Sequence, residues 1–145
     1  MDDLIKSLKI AFASEYSFYL KAQNYHWNVT GPFFTQLHQL FGNIYEEVGD
    51  AIDPFAENIR KCNAFVPASF SRFSLLTQIE DETEIIDDAD MIQTLLQDSD
   101  KMVKVLKFCF DIATQTGEDG LADFLAGRMD AHRKHSWMLR ATITK

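Results

Sequence analysis

Four residues of the sequence could together bind a transition-metal ion. His26 and His38 lie on either side of a turn, and Asp53 and Glu57 follow further along the chain at i,i+4 spacing. Because residues four apart share one face of a helix, the two carboxylates would point in the same direction. Two imidazoles and two carboxylates make a nitrogen and oxygen donor set that suits iron, zinc or manganese, and carboxylates can also bridge a pair of ions.

The turn at Pro32 should bring the two histidines together. Gly31 and Pro32 separate two helical stretches, because Gly favours a turn and Pro is accepted at the start of a helix. His26 and His38 are each six positions from Pro32, so an antiparallel hairpin would set them side by side. The same register places both carboxylates opposite small side chains that bind metals weakly, so one hairpin does not complete a site.

The carboxylates must therefore come from another copy of the chain. His38 and Asp53 are fifteen positions apart on one predicted helix, which separates them by about 22 Å. Two copies of this helix packed antiparallel about a two-fold axis would bring His38 of each copy near Asp53 and Glu57 of the other. A diiron site within one subunit would instead need Glu-x-x-His on two helices, and that motif is absent. Spacing alone leaves a second interpretation open, in which these residues are ordinary surface or core side chains.

Four apolar stripes with three-and-four spacing predict the helices that position these residues. They cover residues 4–25, 37–55, 92–113 and 122–143, and Glu15 is the one polar interruption of the first. The stripe at 122–143 also contains His132, which we expect to be a hydrogen-bonded core histidine, whereas His135 is expected on an outer face.

The connections between the stripes indicate the topology. Two are tight, and the third, about residues 61–87, is long, with a short helical piece within 70–79. Helices of about 25 residues with one long crossover are typical of a ferritin-like four-helix bundle. We therefore predict an all-α fold in which the crossover lies between the second and third long helices.

Composition limits the class of protein. At 145 residues the chain fits one domain, residues 1–145, and its 6 Gly and 3 Pro disfavour a turn-rich β fold. The N-terminal segment lacks the basic region of a signal peptide and no apolar run is long enough to span a bilayer, which predicts a cytoplasmic protein without a membrane segment. The net charge of −8 opposes direct binding to DNA phosphates and favours the collection of cations.

Three motifs resemble the Dps family, the small ferritins that assemble as hollow dodecamers. The first is NYHWNVTGP at residues 24–32, followed by Phe34 and by Leu37-His38. The second is Asp53-x-x-Ala56-Glu57, similar to the second ligand segment of the family, and the third is WMLRA at residues 137–141, similar to its closing helix. The resemblance covers nearly the whole chain, and the first motif is its most specific part.

The resemblance implies that the chain oxidises ferrous iron, preferentially with hydrogen peroxide, and stores ferric mineral in the shell. Such a ferroxidase would serve iron homeostasis and protection against oxidative stress. It implies two-fold dimers within a dodecamer, with His26 and His38 from one subunit and Asp53 and Glu57 from its neighbour holding one or two iron ions. Trp27 would stand beside the site and intercept an oxidising radical, and a packing role at the helix end explains this residue equally well.

Two acidic groups would serve the shell itself. The inner-surface acids that would nucleate mineral are Glu46, Glu47 and Asp50. The acids that would line a cation pore at the three-fold axis are Glu118, Asp119 and Asp123. Each group also has a simpler explanation, because solvated helix faces are commonly acidic and acids near a helix N-terminus are favoured by the helix dipole.

Two departures from the family pattern bear on the activity. Gly42 stands where many members carry Asp or Glu, one turn after the second histidine, which would weaken one metal position or leave it to water. Pro54 follows the ligand Asp53, and we expect a kinked but continuous helix there rather than a new helix. An alternative function is therefore a Dps-like shell with a degenerate metal site that acts as a structural or DNA-protecting assembly. Direct DNA binding is not expected, since the lysine-rich tail of DNA-compacting members is missing.

Overall fold

The structure is all helical, as the sequence predicts. The computed structural model describes residues 1–145. Its five helices, in chain order, are α1 Asp2–Asn28, α2 Phe34–Lys61, α3 Phe70–Leu76, α4 Asp88–Gln115 and α5 Asp119–Ile143. The four long helices form a bundle, and the short helix α3 lies in the long crossover between α2 and α4. The predicted topology, with two tight connections and one long one, is confirmed.

The long helices pack around one apolar core. Helix α1 contacts α2, α3 and α4, and α4 contacts α5. Helix α2 also lies against α5, and this contact closes the bundle. Buried apolar residues from all four long helices belong to a single cluster, which also includes Phe73 of α3. None of the five helices combines the length and the apolar character that a membrane span requires.

The crossover is fixed to the bundle by capping and by hydrogen bonds to α1. Ser69 accepts a hydrogen bond from the first turn of α3, and Asp87 does the same for α4, which satisfies amides that a helix start leaves unpaired. The backbone amide of Gln78 donates to the Ser14 hydroxyl at 2.9 Å. The Tyr25 hydroxyl donates to the Glu82 carboxylate at 2.7 Å, so the acidic segment before α4 is tied to the bundle as well.

Helix α2 runs without interruption through Pro54. A proline inside a helix removes one backbone hydrogen bond and crowds the preceding turn. The helix continues because its buried residues lie on both sides of the proline, with Val48 before it and Phe55 and Ile59 after it. The prediction of a continuous helix is confirmed, and it places Asp53 and Glu57 on the same helix as His38.

Candidate metal centre

The turn between α1 and α2 sets the register of the two histidines. Helix α1 ends at Asn28, and the next residue, Val29, is extended while its amide still donates to the Tyr25 carbonyl at 3.0 Å. Gly31 then adopts φ +117°, a conformation that a residue with a Cβ rarely takes. The chain reverses within five residues before α2 starts at Phe34, and His26 and His38 come to lie side by side.

His26 and His38, which we call the hairpin pair, are held to each other by two reciprocal hydrogen bonds. Their rings stack with centroids 3.7 Å apart and planes 18° apart. His26 Nδ1 lies 2.6 Å from the His38 carbonyl oxygen, and His38 Nδ1 lies 2.7 Å from the His26 carbonyl oxygen. The predicted proximity of the two histidines is confirmed.

These hydrogen bonds define which ring nitrogen is available. A carbonyl oxygen only accepts, so each Nδ1 must carry a hydrogen and donate it. In a neutral imidazole the lone pair then belongs to Nε2, which is the arrangement commonly found in metal-binding histidines whose other nitrogen is tied to a backbone carbonyl. Both side chains are partly exposed, and neither Nε2 has a partner in the chain. The pair therefore presents two nitrogen donors.

Asp53 and Glu57 lie far from this pair in the same chain. Both are exposed, and neither takes part in an ion pair of the chain. Because α2 is continuous from Phe34 to Lys61, the rise per residue separates His38 from Asp53 by about 22 Å. The chain holds no group of three or more His, Cys, Asp or Glu side chains arranged to bind a metal ion. The structure thus brings the two histidines together and leaves the two carboxylates apart from them.

Aromatic and small residues surround the hairpin pair. Phe34 stacks on His38 at 5.1 Å between ring centroids, and Tyr45 lies 5.2 Å from His26. Trp27 is 61% exposed, so its ring does not fill the core. Gly42 lies beneath the His26 ring, close enough that a Cβ at this position would be 3.0 Å from His26 Nδ1 and Cε1.

The acids predicted for nucleation and for the pore lie on the surface, with one exception. Glu46 and Asp50 are exposed on α2, whereas the Glu47 carboxylate is bound by Arg128 and His135. Glu118 precedes α5, and Asp119 and Asp123 lie in its first turns, as the sequence indicates. Asp119 and Asp123 are exposed and Glu118 is partly exposed, so these carboxylates could meet cations or other subunits.

A buried polar cluster at the centre of the bundle was not predicted. We call it the core network; its members, from α1, α2 and α5, are Glu15, Glu47, Arg128, His132 and His135. Glu15 accepts hydrogen bonds from His132 and Arg128, and both Glu15 and His132 are fully buried. The Arg128 guanidinium also donates to Glu47 at 2.5 Å, and His135 Nε2 lies 2.7 Å from Glu47.

The core network corrects one expectation and confirms another. His135 was expected on an outer face, which is wrong: it is 5% exposed, because it lies three residues after His132 and shares its inward face. His132 is a hydrogen-bonded core histidine, as predicted. Glu15 and His132 are both polar residues within apolar stripes. This shared pattern was the signal for the network, because two buried polar side chains can form a hydrogen bond with each other.

Electrostatics keep the two carboxylates of the core network ionised. Burial alone would raise the pKa of Glu15, but the charges and hydrogen bonds of His132 and Arg128 outweigh it, so the pKa lies below its usual value. Burial would also raise the pKa of Glu47, but hydrogen bonds from His135 and Arg128 and the charge of Arg128 lower it to about 2. Burial lowers the pKa of His135 despite its bond to Glu47. Both Nε2 atoms of the two histidines and all three guanidinium nitrogens of Arg128 bind carboxylates within the chain.

Comparison with known protein sequences identifies the family. A model of the ferritin-like domain matches residues 5–145. An uncharacterized low temperature-induced protein of Nostoc is 33% identical over 97% of this chain and 79% of its own length. The DNA protection during starvation protein of Brevibacillus brevis is 32% identical over 86% of this chain and 84% of its own length.

Comparison with solved structures agrees. The Dps protein of Vibrio cholerae O1, described as a member of a broad superfamily of ferritin-like diiron-carboxylate proteins, superposes with a TM-score of 0.94 at 29% identity. The match covers 99% of this chain and 90% of that one. With its bundle topology, its hairpin pair and these relatives, the chain belongs to the Dps family of ferritin-like proteins.

Proposed function

We propose that the protein oxidises ferrous iron with hydrogen peroxide and stores the ferric product, at sites that two copies of the chain complete together. The hairpin pair carries this proposal, because it presents two Nε2 donors whose orientation the backbone already fixes. The description of the Vibrio cholerae relative as a diiron-carboxylate protein supports iron as the substrate.

A second copy of the chain supplies the remaining donors. Asp53 and Glu57 are exposed, unpaired and one helical turn apart, which suits two carboxylates that act on the same ion. A two-fold axis that packs α2 antiparallel to its copy would bring them to the hairpin pair of the other subunit, twice per dimer. The dimer would be the unit of a larger shell, which we take to be a dodecamer formed by the single domain of residues 1–145.

The residues of the site would favour the oxidised metal. Two ferrous ions each give up one electron, and peroxide accepts both electrons with two protons and leaves as two molecules of water. Carboxylates at the site stabilise the higher charge of the ferric product, while the imidazoles hold the ion in place. Trp27, the exposed residue that follows His26, would be an easily oxidised side chain near the site if a radical escapes.

The shell would collect and retain the product through its surface acids. Glu46 and Asp50 are exposed on α2 and would nucleate mineral, while the carboxylate of Glu47 is already committed to Arg128 and His135. Glu118, Asp119 and Asp123 would attract ferrous ions to a pore at the start of α5, since carboxylates that line a narrow channel draw in cations.

The first experiment compares the parent with a His26→Ala, His38→Ala double variant. Ferrous iron is added anaerobically, then peroxide, and ferric absorbance is followed. We expect fast oxidation in the parent and its loss in the double variant, with Gln36→Ala, an exposed residue of α2, behaving as the parent. Equal slow traces in all three proteins would contradict ferroxidase activity and favour the alternative of a structural assembly with an inactive centre.

A complementation experiment tests whether the site is shared. The double histidine variant is coexpressed with an Asp53→Asn, Glu57→Gln variant, each of which should be inactive alone. In a mixed two-fold dimer one of the two sites recovers all four donors, so random mixing should restore about a quarter of the parental rate. No recovery in assembled mixed oligomers would contradict a site that spans two subunits.

Protection of DNA is the second candidate function, because the Brevibacillus brevis relative carries that name. The net charge of −8 opposes binding to phosphates, so we propose protection by removal of iron and peroxide rather than by contact. A gel shift at physiological salt should show no retardation of duplex DNA, and iron with peroxide should nick plasmid DNA less when the protein is present.

A further inference from the structure

Gly42 is in unusually close contact with the hairpin pair. A Cβ built on this residue would lie 3.0 Å from both Nδ1 and Cε1 of His26. This separation is well below the usual contact distance of about 3.5–4.0 Å between heavy atoms. The His26 ring thus occupies the space that a side chain at position 42 would need.

The His26 ring cannot retreat without losing its other contacts. Its Nδ1, one of the two atoms nearest to Gly42, donates to the His38 carbonyl at 2.6 Å. Its plane stacks on the His38 ring at 3.7 Å, and Tyr45 packs near it at 5.2 Å. A displaced His26 would lengthen the hydrogen bond that fixes its tautomer, and the stacking with His38 would change as well.

Gly42 also lies in the interior of α2, between Phe34 and Lys61, where glycine is unfavourable. Its φ is not in the left-handed region, so the backbone conformation does not require glycine. Helix propensity alone would favour alanine at this position. The neighbour that a side chain here would meet first is His26.

We propose that Gly42 is a positioning residue of the metal site: its bare α-carbon lets the His26 ring lie against α2 in the orientation that presents Nε2 to the metal. This inference rests on the proposed function, and it gives a different explanation for glycine at position 42, where many members of the family carry Asp or Glu. Gly42 is not a ligand that has been lost. Its missing side chain leaves room for the His26 ring, and a Cβ there would force that ring to shift by a few tenths of an ångström.

The test compares Gly42→Ala with the parent and with Gly127→Ala. Gly127 is also helical, and a Cβ there meets nothing within 4 Å, so it is a matched control. Zn²⁺ affinity is measured by calorimetry, with the His26→Ala, His38→Ala variant identifying the part that depends on the histidines. Peroxide-dependent ferrous oxidation gives KM for Fe²⁺ and kcat, and thermal unfolding gives stability.

We expect Gly42→Ala to weaken histidine-dependent Zn²⁺ binding and raise the KM for Fe²⁺ by about 10-fold or more, the range seen when a supporting contact of a metal ligand is lost. Thermal stability should change little, because the preference of the helix for alanine opposes the cost of the shifted His26 ring. Gly127→Ala should keep the parental affinity. A structural role alone would lower stability and leave the affinity of the folded protein intact.

A Gly42→Asp variant separates this inference from the lost-ligand explanation. If position 42 had merely lost a ligand, Asp would strengthen metal binding and Ala would leave it unchanged, and either result would overturn the proposal. We expect Asp, like Ala, not to exceed the parental affinity. If the parent binds Zn²⁺ through its histidines but does not oxidise iron, the proposed function fails while the Gly42 comparison still decides this inference. If it does neither, both fail.

Discussion

The four histidines of the chain form two pairs that differ in what their ring nitrogens contact. The hairpin pair, His26 and His38, stacks face to face at 3.7 Å and directs both Nδ1 atoms to backbone carbonyls. The core pair, His132 and His135, meets edge to face at 5.5 Å and directs both Nε2 atoms to buried or half-buried carboxylates. The comparison shows that residue type alone does not define a candidate metal site, because both Nε2 atoms of the core pair already bind carboxylates, whereas those of the hairpin pair have no partner in the chain.

The core network combines the residue types of a metal site with an internal cation. The Arg128 guanidinium binds two carboxylates, each of which also binds one imidazole, and it supplies the positive charge that a metal ion would otherwise bring. A buried ion pair offsets its own desolvation only when its hydrogen bonds are complete. We therefore expect the core pair to act on stability and the hairpin pair to act on metal chemistry.

The largest expected effect follows from removal of Arg128. An Arg128→Met substitution leaves the Glu15 and Glu47 carboxylates without their guanidinium, and breaking a buried pair in this way costs about 3–5 kcal/mol. Denaturant unfolding at a fixed protein concentration measures the change. The control is Arg133→Met, an exposed arginine of the same helix, which should unfold as the parent does. Equal stability of the two variants would contradict the structural role of the core network.

One histidine of each pair is replaced by alanine to separate stability from metal binding. His132→Ala removes a hydrogen-bond partner of the fully buried Glu15, so we expect a loss of about 2 kcal/mol in the free energy of unfolding, with unchanged affinity for Fe²⁺ in the folded protein. His38→Ala should lower the Fe²⁺ affinity by about 10-fold or more and affect stability less. A variant that lowered both the free energy of unfolding and the Fe²⁺ affinity to this extent would contradict the distinction between the pairs.

Acid should weaken the core network before it affects the rest of the bundle. Because burial lowers the pKa of His135, the folded state favours its neutral form, and stability is lost as the pH falls below the usual value of 6.5. The lowered pKa of Glu47 stabilises the fold above its usual value of 4.5, and this contribution disappears as the pH falls toward about 2.

Two variants separate these pH windows. His135→Gln should flatten the decline in the unfolding midpoint just below pH 6.5, and Glu47→Gln should flatten the decline below pH 4.5. Thermal melts across this range measure both slopes. Parallel curves for the parent and both variants would mean that neither residue governs the acid response.

The smallest expected effect contrasts two serines beside the core pair. Ser99 donates to the His132 carbonyl at 2.8 Å, whereas the buried Ser136 hydroxyl has no hydrogen-bond partner. Ser99→Ala should therefore destabilise the protein by about 1 kcal/mol, while Ser136→Ala should leave stability unchanged or raise it by about 1 kcal/mol. Chemical denaturation of both variants checks the sign, and destabilisation by Ser136→Ala would reveal a partner for that hydroxyl.

Local spacing was enough to predict the helices and the hairpin pair. The period of the apolar residues marks each long helix, and Gly31 and Pro32 mark the turn, so the approach of His26 to His38 follows from counting positions. The contact between His26 and His38 joins residues only twelve positions apart. One hairpin is enough to form it, so the packing of the other helices does not have to be known.

The core network could not be assembled by the same reasoning. Glu15 and Arg128 are 113 positions apart, and Glu47 and His135 are 88 apart, so their meeting depends on how α1, α2 and α5 pack. The sequence showed Glu15 and His132 as polar residues on apolar stripes, but it did not show that their side chains are in contact. The close approach of Gly42 to His26 was also hidden, because it depends on a side-chain orientation that only the folded hairpin defines.

The reciprocal hydrogen bonds of the hairpin pair also have a consequence for the thermodynamics of metal uptake. Immobilising a side chain on binding costs about 0.5–1.5 kcal/mol of conformational entropy. Here both rings are already held by backbone carbonyls, so this entropy is lost during folding and not when an ion arrives. At the proposed site an incoming ion would need no rotation of either ring, and the ordering that remains would fall on the exposed carboxylates of the neighbouring subunit.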